Sequence, residues 1–263
     1  ELAQLVPRAS QPALHDVVWS GSAGNELVTF NQVNATTVNV HVALWNGVNV
    51  NLTQQFTGVT GGVWGDGAAG NDQLDARSLS TLAATLQGGL HDDMLYGGGA
   101  NDILRGDPAG IHADGAEGED AIYGGDGNDT IFGDGSEGAS DTLYGGTGDD
   151  SIVADGKDGG EGNDLIFGED GDDRIQYGNG ANIVKGGAGH DLIWSGIDGA
   201  EGLNQLDGES GDDVVVGADG ADQILGRSGR DLLIGGNKND VLDGNGDQDI
   251  LIGGRTTFDN DEA

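Results

Sequence analysis

A nine-residue repeat is the feature of this sequence that most restricts its fold. Residues 124–132 read GGDGNDTIF, and residues 159–167 read GGEGNDLIF. A unit this short cannot bury an apolar face alone and becomes stable only when neighbouring copies stack. We therefore expect a repetitive, stacked domain in place of an ordinary globular core.

The repeat has two nearly constant positions. Of seventeen units, all have an aliphatic residue at position 8 and fifteen have Asp at position 6. The units begin at residues 67, 88, 97, 115, 124, 136, 145, 159, 168, 177, 186, 199, 208, 217, 226, 235 and 244. Because strand side chains alternate between faces, each unit predicts a Gly-rich turn followed by a short strand with one inward aliphatic side chain. Two units would form one coil, and the coils would stack as parallel strands.

The amino-acid composition agrees with a fold of stacked repeats and restricts the kinds of molecule that the chain can bind. The chain contains 53 Gly in 263 residues, which tight and closely approaching turns explain without disorder. Its net charge of -36 repels phosphate backbones and anionic lipid, so we expect neither nucleic-acid binding nor membrane insertion. Cations are the favoured partners. Because there is no Cys, the available ligands are carboxylate and carbonyl oxygens, which select hard cations.

The repeat resembles the RTX, or hemolysin-type, calcium-binding nonapeptide repeat family, whose pattern is GGxGxDxUx with U a large aliphatic residue. The resemblance extends from Gly67 to Ile252. It implies an all-β fold, a parallel β-roll or β-solenoid of stacked Gly-rich turns, with Ca²⁺ held by the position-6 carboxylates and by turn carbonyls. Since Ca²⁺ takes six to eight oxygen ligands, one turn offers half a site that the next turn on the same edge completes.

The position-6 aspartates are the predicted calcium ligands. They are Asp72, Asp93, Asp102, Asp120, Asp129, Asp141, Asp150, Asp164, Asp173, Asp191, Asp213, Asp222, Asp231, Asp240 and Asp249. Units 177 and 199 have Asn182 and Asn204 instead, and an amide oxygen carries no charge, so we predict weak or missing calcium there. Sites between successive turns give a ceiling of about 15 ions.

Five interruptions break the nine-residue period. They are residues 76–87, 106–114, 133–135, 154–158 and 195–198. If alternate turns lie on opposite edges of the roll, all five precede turns of one edge. We therefore expect the five loops to project from a single edge. The other, uninterrupted edge would carry Asp72, Asp102, Asp129, Asp150, Asp173, Asp191, Asp213, Asp231 and Asp249.

The chain divides into four predicted segments. Residues 1–12 are an N-terminal linker, 13–66 an irregular strand-rich cap, 67–252 the β-roll, and 253–263 a C-terminal exit segment. The final residues, GGRTTFDNDEA, resemble the end of repeat arrays in large secreted calcium-binding proteins of environmental, planctomycete-like bacteria.

The functional prediction is a non-catalytic, secreted or cell-surface calcium-binding module that folds on Ca²⁺ binding after export. No HExxH or GxSxG motif is present, so the sequence contains no sign of the protease or lipase to which such repeats are often attached. Three alternatives remain open. The interruption loops could bind a polysaccharide or a surface protein, the roll could be a building block of a surface layer or filament, and an enzyme would require a cleft that a β-roll does not offer.

Overall fold

The computed structural model describes residues 4–8, 11–44, 51–107, 118–133, 139–155, 162–196 and 202–254. Within these ranges the chain forms strands and no helix, and so no helix that could cross a membrane. The strands are β1 (Gln4–Arg8), β2 (Gln11–Ser22), β3 (Glu26–Asn34), β4 (Thr37–Leu44), β5 (Asn51–Thr57), β6 (Gly62–Ala69), β7 (Gln73–Asp75), β8 (Ala83–Leu90), β9 (Met94–Tyr96), β10 (Ile103–Arg105), β11 (Ala121–Asp126), β12 (Thr130–Phe132), β13 (Thr142–Thr147), β14 (Ser151–Val153), β15 (Leu165–Asp170), β16 (Arg174–Gln176), β17 (Ile183–Ala188), β18 (Leu192–Trp194), β19 (Gln205–Ser210), β20 (Val214–Val216), β21 (Gln223–Leu225), β22 (Leu232–Ile234), β23 (Val241–Asp243) and β24 (Ile250–Ile252).

These strands form two sheets that face each other across the interior. Sheet A has the order β1-β2-β6-β8-β10-β12-β14-β16-β18-β20-β22-β24, and sheet B has the order β23-β21-β19-β17-β15-β13-β11-β9-β7-β3-β4-β5. From β6 onward the chain alternates between the sheets, and each strand pairs in parallel with its counterparts in the adjacent coils. The predicted all-β parallel β-solenoid is therefore confirmed.

The interior is an aliphatic ladder built from position 8 of the repeat. Successive position-8 residues are in register, as Ile131 with Ile152 in sheet A and Ile122 with Leu143 in sheet B. From Leu74 to Leu233 every one of them is completely buried, which confirms the predicted inward aliphatic position. The last two position-8 residues are not completely buried. Leu242 is only partly buried and Leu251 is 45% exposed, because no described coil covers them.

The difference in burial along the ladder predicts that two similar substitutions lower the stability of the chain by different amounts. Ile152→Ala removes fully buried methyl groups and should lower the free energy of unfolding of the calcium-loaded chain by about 3 kcal/mol. Leu251→Ala occupies the same repeat position but removes half-exposed atoms, so we expect a loss below about 1 kcal/mol. Denaturant unfolding in saturating calcium measures both, and equal losses would contradict the ladder as described.

The first interruption of the repeat is partly a strand. Residues 83–90 form β8 in sheet A, where Leu86 is in register with Leu104 and is buried like a position-8 residue. Leu74 consequently lies in sheet B, and Asp72 lies on the opposite edge from Asp102. The prediction that the whole of 76–87 is a loop, with Asp72 on the uninterrupted edge, is wrong. Residues 79–87 read LSTLAATLQ, with Ala84 in place of the position-6 Asp and no glycine, so the repeat pattern does not reveal this coil.

The interruptions therefore occupy two edges. We define edge 1 as the turns leading from sheet B into sheet A, and edge 2 as the turns leading from sheet A into sheet B. Residues 76–82 interrupt edge 1, whereas the other four interruptions connect β10 to β11, β12 to β13, β14 to β15 and β18 to β19 on edge 2. The expectation of a single interrupted edge is thus correct for four loops and wrong for the first, and most residues of the four lie outside the described ranges.

The N-terminal end of the solenoid is closed by antiparallel strands. β1 pairs antiparallel with β2 at the end of sheet A, and β4 and β5 continue sheet B beyond β3 in the same way. The interior of this region contains the buried Trp19 and Phe30. Because β1 and the start of β2 lie within residues 1–12, the prediction of a linker there is wrong for those residues. The remaining division into cap, roll and exit segment stays a proposal.

Candidate metal centre

Alternation along the strand directs each position-6 side chain inward. Asp129 precedes Ile131 by two residues, so the carboxyl and the aliphatic side chain leave the backbone on the same side. The Asp129 residue is 2% exposed, as are most of its equivalents. The turn before it contains Gly127 with φ +119, a left-handed backbone angle that a residue with a Cβ rarely adopts. The repeat thus places a carboxylate inside every tight turn.

The position-6 residues form two columns held by one repeated hydrogen bond. On edge 1, the backbone N–H of Asp129 donates to Oδ1 of Asp150 in the next coil at 2.7 Å. The bond recurs along this edge from Ala84 through Asp102, Asp129, Asp150, Asp173, Asp191, Asp213 and Asp231 to Asp249. Edge 2 has the same bond from Glu26 through Asp72, Asp93, Asp120, Asp141, Asp164, Asn182, Asn204 and Asp222 to Asp240. All fifteen predicted ligands therefore lie in these two columns.

Since Oδ1 of the position-6 carboxylate accepts the hydrogen bond of the column, Oδ2 is the oxygen that is available to bind a ligand. Buried Oδ2 atoms have no hydrogen-bond partner in Asp72, Asp93, Asp120, Asp129, Asp150, Asp164, Asp173, Asp191, Asp213 and Asp231. A buried, unpaired carboxylate oxygen carries a large desolvation cost unless a cation or a proton compensates it. The same uncompensated atom in coil after coil indicates a binding position of the repeat.

Backbone oxygens converge on the same space. A Cβ built on Gly124 would lie 2.5 Å from Oδ2 of Asp129 and would overlap the carbonyl oxygen of Gly145 in the next coil. The space above the Gly124 Cα is therefore bordered by one carboxylate oxygen and one carbonyl oxygen from adjacent coils. Gly168 has the same relation to Asp173 and to the carbonyl of Gly186. The first Gly of the unit keeps this oxygen-lined space open.

This donor set fits Ca²⁺. Among the described residues no three Asp, Glu or His side chains are close enough to bind one ion together, so backbone carbonyls must provide most of the ligands of an ion in the columns. Ca²⁺ prefers oxygen ligands and tolerates irregular geometry. No Lys, Arg or His is among the buried residues that the structure describes, so the acidic columns also provide charge complementarity for a divalent ion.

Without metal the columns hold carboxyls that ionise with difficulty. Burial, together with repulsion from neighbouring carboxylates, raises the pKa of Asp93 to about 9 and that of Asp120 to about 10. Burial likewise raises the pKa of Asp129 and of Asp173 to about 8, against a backbone N–H donor that lowers each. At neutral pH the metal-free roll must either keep these groups protonated or pay for their burial as anions.

Edge 2 contains a gap in this pattern. Asn182 directs its Nδ2 donor to the carbonyls of Gly178 and Asn179, and Asn204 directs its Nδ2 to Oδ1 of Asp222. An N–H donor thus stands where the other units place Oδ2. Tyr177, completely buried at the first position of its unit, extends along the same column and donates its hydroxyl to the carbonyl of Val216 two coils further on.

The two Asn positions on edge 2 lead to a prediction about the number of calcium ions that the chain binds. Asn204→Asp alone should leave the number of bound calcium ions unchanged, because the Tyr177 ring still fills the column beside that turn. The triple variant Tyr177→Gly, Asn182→Asp, Asn204→Asp restores both the space and the charge, and we expect one or two additional ions. Calorimetric titration in parallel with wild type measures the difference, and an extra ion in the single variant would contradict the assigned role of Tyr177.

Not every predicted ligand has the same surroundings. Oδ2 of Asp102 accepts a hydrogen bond from Gly98, and Oδ2 of Asp222 accepts one from Ala218. Asp240 and Asp249 are only partly buried because they belong to the last coil. These four positions are therefore less complete than the middle of the two columns.

Three buried acids lie outside the predicted ligand set, although the sequence already places Glu26 at position 6 of the nonapeptide GSAGNELVT, residues 21–29. Glu26 begins the edge 2 column, and Ser22 donates to its carboxylate from both the backbone N–H and the hydroxyl. Asp107 and Asp155, both buried, each directly follow the first residue of an interrupted turn on edge 2, and Gly118 donates to Oδ2 of Asp107. A sequence signal for Asp107 and Asp155 does exist. Three interruptions begin with a Gly-Asp or Ala-Asp pair, at residues 106–107, 133–134 and 154–155.

Comparison with known proteins agrees with this geometry. No curated protein matches the chain. A family model comprising four copies of the RTX calcium-binding nonapeptide repeat matches seven segments, which together cover well over half of the chain. They are residues 83–108, 112–137, 136–156, 158–184, 176–198, 198–233 and 225–255. The repeats of this family bind Ca²⁺ in a β-roll, and the chain belongs to the RTX calcium-binding nonapeptide repeat family.

Proposed function

We propose that this chain is a non-catalytic extracellular module whose position-6 aspartates bind Ca²⁺ between successive coils, and that this binding folds the roll. The observation that carries the proposal is the pair of columns with buried Oδ2 atoms that have no hydrogen-bond partner, several of which border the same space as a glycine carbonyl of the adjacent coil, as in Asp129, Asp150 and Asp173. Bound Ca²⁺ would supply the positive charge and the coordination that these oxygens lack.

Folding and binding are coupled because the sites do not exist in the unfolded chain. Each half of a site belongs to a different coil, so the oxygens meet only when the coils stack. A chain with net charge -36 also resists compaction until its carboxylates are neutralised. The free energy of ion binding then contributes directly to the stability of the roll.

An extracellular location follows from the expected affinity. Calcium modules of extracellular proteins typically bind at about 10⁻⁴ to 10⁻³ M, so such a chain stays unfolded at cytosolic calcium and folds at the millimolar concentrations found outside. The secreted nature of many RTX-containing proteins supports this location. An unfolded chain is also the form suited to passage through a narrow export channel.

A calcium titration followed by far-UV circular dichroism tests the proposal, with calorimetry for the number of ions. We expect a cooperative change from coil to β-structure near millimolar Ca²⁺ and at most about 15 ions. Mg²⁺ is the matched control, since its demand for octahedral geometry should leave it unable to replace Ca²⁺. A chain that is already β-structured in chelator, or that responds equally to Mg²⁺, would refute the coupling.

A role as an adhesive module or a building block of a surface layer is the second candidate. The residues of the four edge 2 interruptions that would contact a polysaccharide lie largely outside the described ranges. The surface of the two sheets is described, however, and it provides a specific observation that favours assembly.

A further inference from the structure

The outward face of sheet A is apolar over its last four strands. In β18, β20, β22 and β24 the middle residue points into the core, and the residues on either side point outward. Parallel pairing aligns them in two rows of four. The rows are Leu192, Val214, Leu232 and Ile250, and Trp194, Val216, Ile234 and Ile252. We call these eight side chains the apolar face.

The apolar face is confined to one sheet and to one end of the roll. The outward residues of sheet A in earlier coils include Thr130, Ser151, Arg174 and Gln176. In the same coils on sheet B they include Lys185, Gln205, Asp207 and Gln223. The repeat therefore does not require apolar residues at these positions. Outward apolar residues also occur singly, as Phe132 and Val153 do in sheet A, and Tyr144 and Phe167 lie on the outer face of sheet B. From β8 onward, however, these four strands are the only described strands of sheet A that are apolar at both outward positions. This unbroken run of eight sites indicates a function of that surface.

These strands have the composition of strands buried on both faces. The segments VVV in β20, LLI in β22 and ILI in β24 contain no polar residue, as is usual where a parallel sheet is covered on both sides. Yet Ile250 is 61% exposed and Ile252 48% exposed, while the other six side chains are only partly buried. No described residue of the chain covers the face. A contiguous exposed apolar patch of this kind marks an interaction site.

We propose that the apolar face binds the same face of a second copy of this chain, so that two rolls pack sheet against sheet. Flat parallel sheets with short aliphatic side chains pack on one another about 10 Å apart. A face made of two similar rows is self-complementary, as a two-fold interface requires.

Charge distribution favours a second copy at this end of the roll. The rim of edge 1 beside the earlier coils carries Asp149 and Asp172, followed in the same row by His190. Beside the apolar face the same row contains Arg230, which forms an ion pair with Asp212. Lys238 lies on edge 2 of the same region. The described residues between 118 and 184 contain one Lys or Arg, Arg174, whereas Lys185, Arg227, Arg230 and Lys238 all lie in the coils of the apolar face. Two like molecules can thus approach here with less repulsion than at those preceding coils.

The area suits a reversible dimer. Four strands spaced about 4.8 Å apart, with two outward residues each, form an apolar surface on the order of 300 Å². A standard interface hides about 800 Å² per partner, and the remainder would come from rim residues of the turns. We therefore expect a dimer that forms at micromolar concentration of folded protein. The inference rests on the proposed function, because only the calcium-folded roll presents the face.

Sedimentation velocity of the full chain in saturating calcium, at 5 to 200 µM protein (a range of about forty-fold), tests the interface. Wild type should change from monomer to dimer across this range. Ile234→Lys places a charge in the centre of the face and should remain monomeric throughout. Leu225→Lys is the matched control, because Leu225 is the equivalent half-buried outward residue on sheet B, and it should dimerise like wild type.

Circular dichroism of the same samples separates the two proposals. A chain that stays a coil in calcium refutes the proposed function and, with it, the interface. A folded wild type that remains monomeric at the highest concentration, or a folded Ile234→Lys variant that still dimerises, refutes the interface alone. A folded monomer that floats with phosphatidylcholine vesicles would assign the face to lipid and would equally overturn the proposal.

Discussion

Replacing Asp150 by Asn is expected to remove at least one bound calcium ion and to raise the calcium concentration at the folding midpoint about tenfold. Asp150 lies in the middle of the edge 1 column, where its Oδ2 has no hydrogen-bond partner and its Oδ1 accepts the N–H of Asp129. The Asn variant keeps the Oδ1 acceptor, so the ladder is preserved. It loses the charge and replaces one ion-facing oxygen by an N–H₂ donor.

The adjacent residue provides the control. Asp149→Asn makes the same chemical change one residue earlier in the same turn, but Asp149 is exposed, and its Oδ1 accepts a hydrogen bond from Asp172 that Asn also accepts. We expect its ion number to equal that of wild type and its midpoint to lie within about twofold. If the two variants bind calcium equally, general loss of negative charge and not the column is responsible for binding.

Acidification is expected to stabilise the metal-free roll while weakening its binding of calcium. The pKa of Asp93 rises to about 9, and that of Asp120 to about 10, because burial disfavours the anion, compared with an ordinary Asp value of 3.8. A group whose pKa is raised on folding stabilises the fold fully below its unfolded pKa, and this contribution is lost as pH rises through the folded pKa. The window for these two groups runs from about pH 4 to about pH 10.

Circular dichroism in metal-stripped buffer from pH 8 to pH 4.5 measures the first half of this prediction. Each carboxyl that is protonated in the roll and ionised in the coil changes the free energy of unfolding by about 1.4 kcal/mol per pH unit. The β-structure should therefore increase toward low pH. Calcium titrations at pH 7.5 and 5.5 measure the second half, with a higher midpoint expected at pH 5.5 because protons and calcium compete for the same oxygens.

A matched variant attributes the effect to the columns. Asp93→Asn with Asp120→Asn removes two carboxyls whose pKa burial raises strongly and should reduce the pH dependence of the metal-free fold. Asp170→Asn with Asp243→Asn changes the same number of charges at exposed positions and should leave the pH dependence as in wild type. Metal-free β-structure that falls on acidification would contradict the assignment.

The sequence predicts those features that depend only on the period and on strand alternation. Because Asp129 and Ile131 are two residues apart, their shared inward direction follows from strand geometry alone. The same argument applies to every regular unit, which is why the aliphatic ladder and the two carboxylate columns could be predicted. Their assignment as calcium ligands remains a proposal.

Features that depend on neighbouring coils could not be read from the repeat. The strand β8 lacks the motif and is held by its partners, with Leu86 between Gly65 and Leu104. Because the repeat does not reveal this strand, the sequence assigns Asp72 and the first interruption each to the wrong edge of the roll. Tyr177 appears in the sequence as an isolated substitution, and only the stacking shows that its side chain reaches Val216. The apolar face likewise requires knowing which units share a sheet.

The most direct test of the account is anomalous diffraction from crystals grown in calcium, recorded at a wavelength where Ca²⁺ scatters anomalously. We expect two rows of peaks, each peak between Oδ2 of a position-6 aspartate and a carbonyl oxygen of the adjacent coil, as between Asp129 and Gly145. The edge 2 row should be interrupted beside Asn182 and Asn204. Peaks confined to the exposed acids of the turns, with none in the columns, would contradict the central claim.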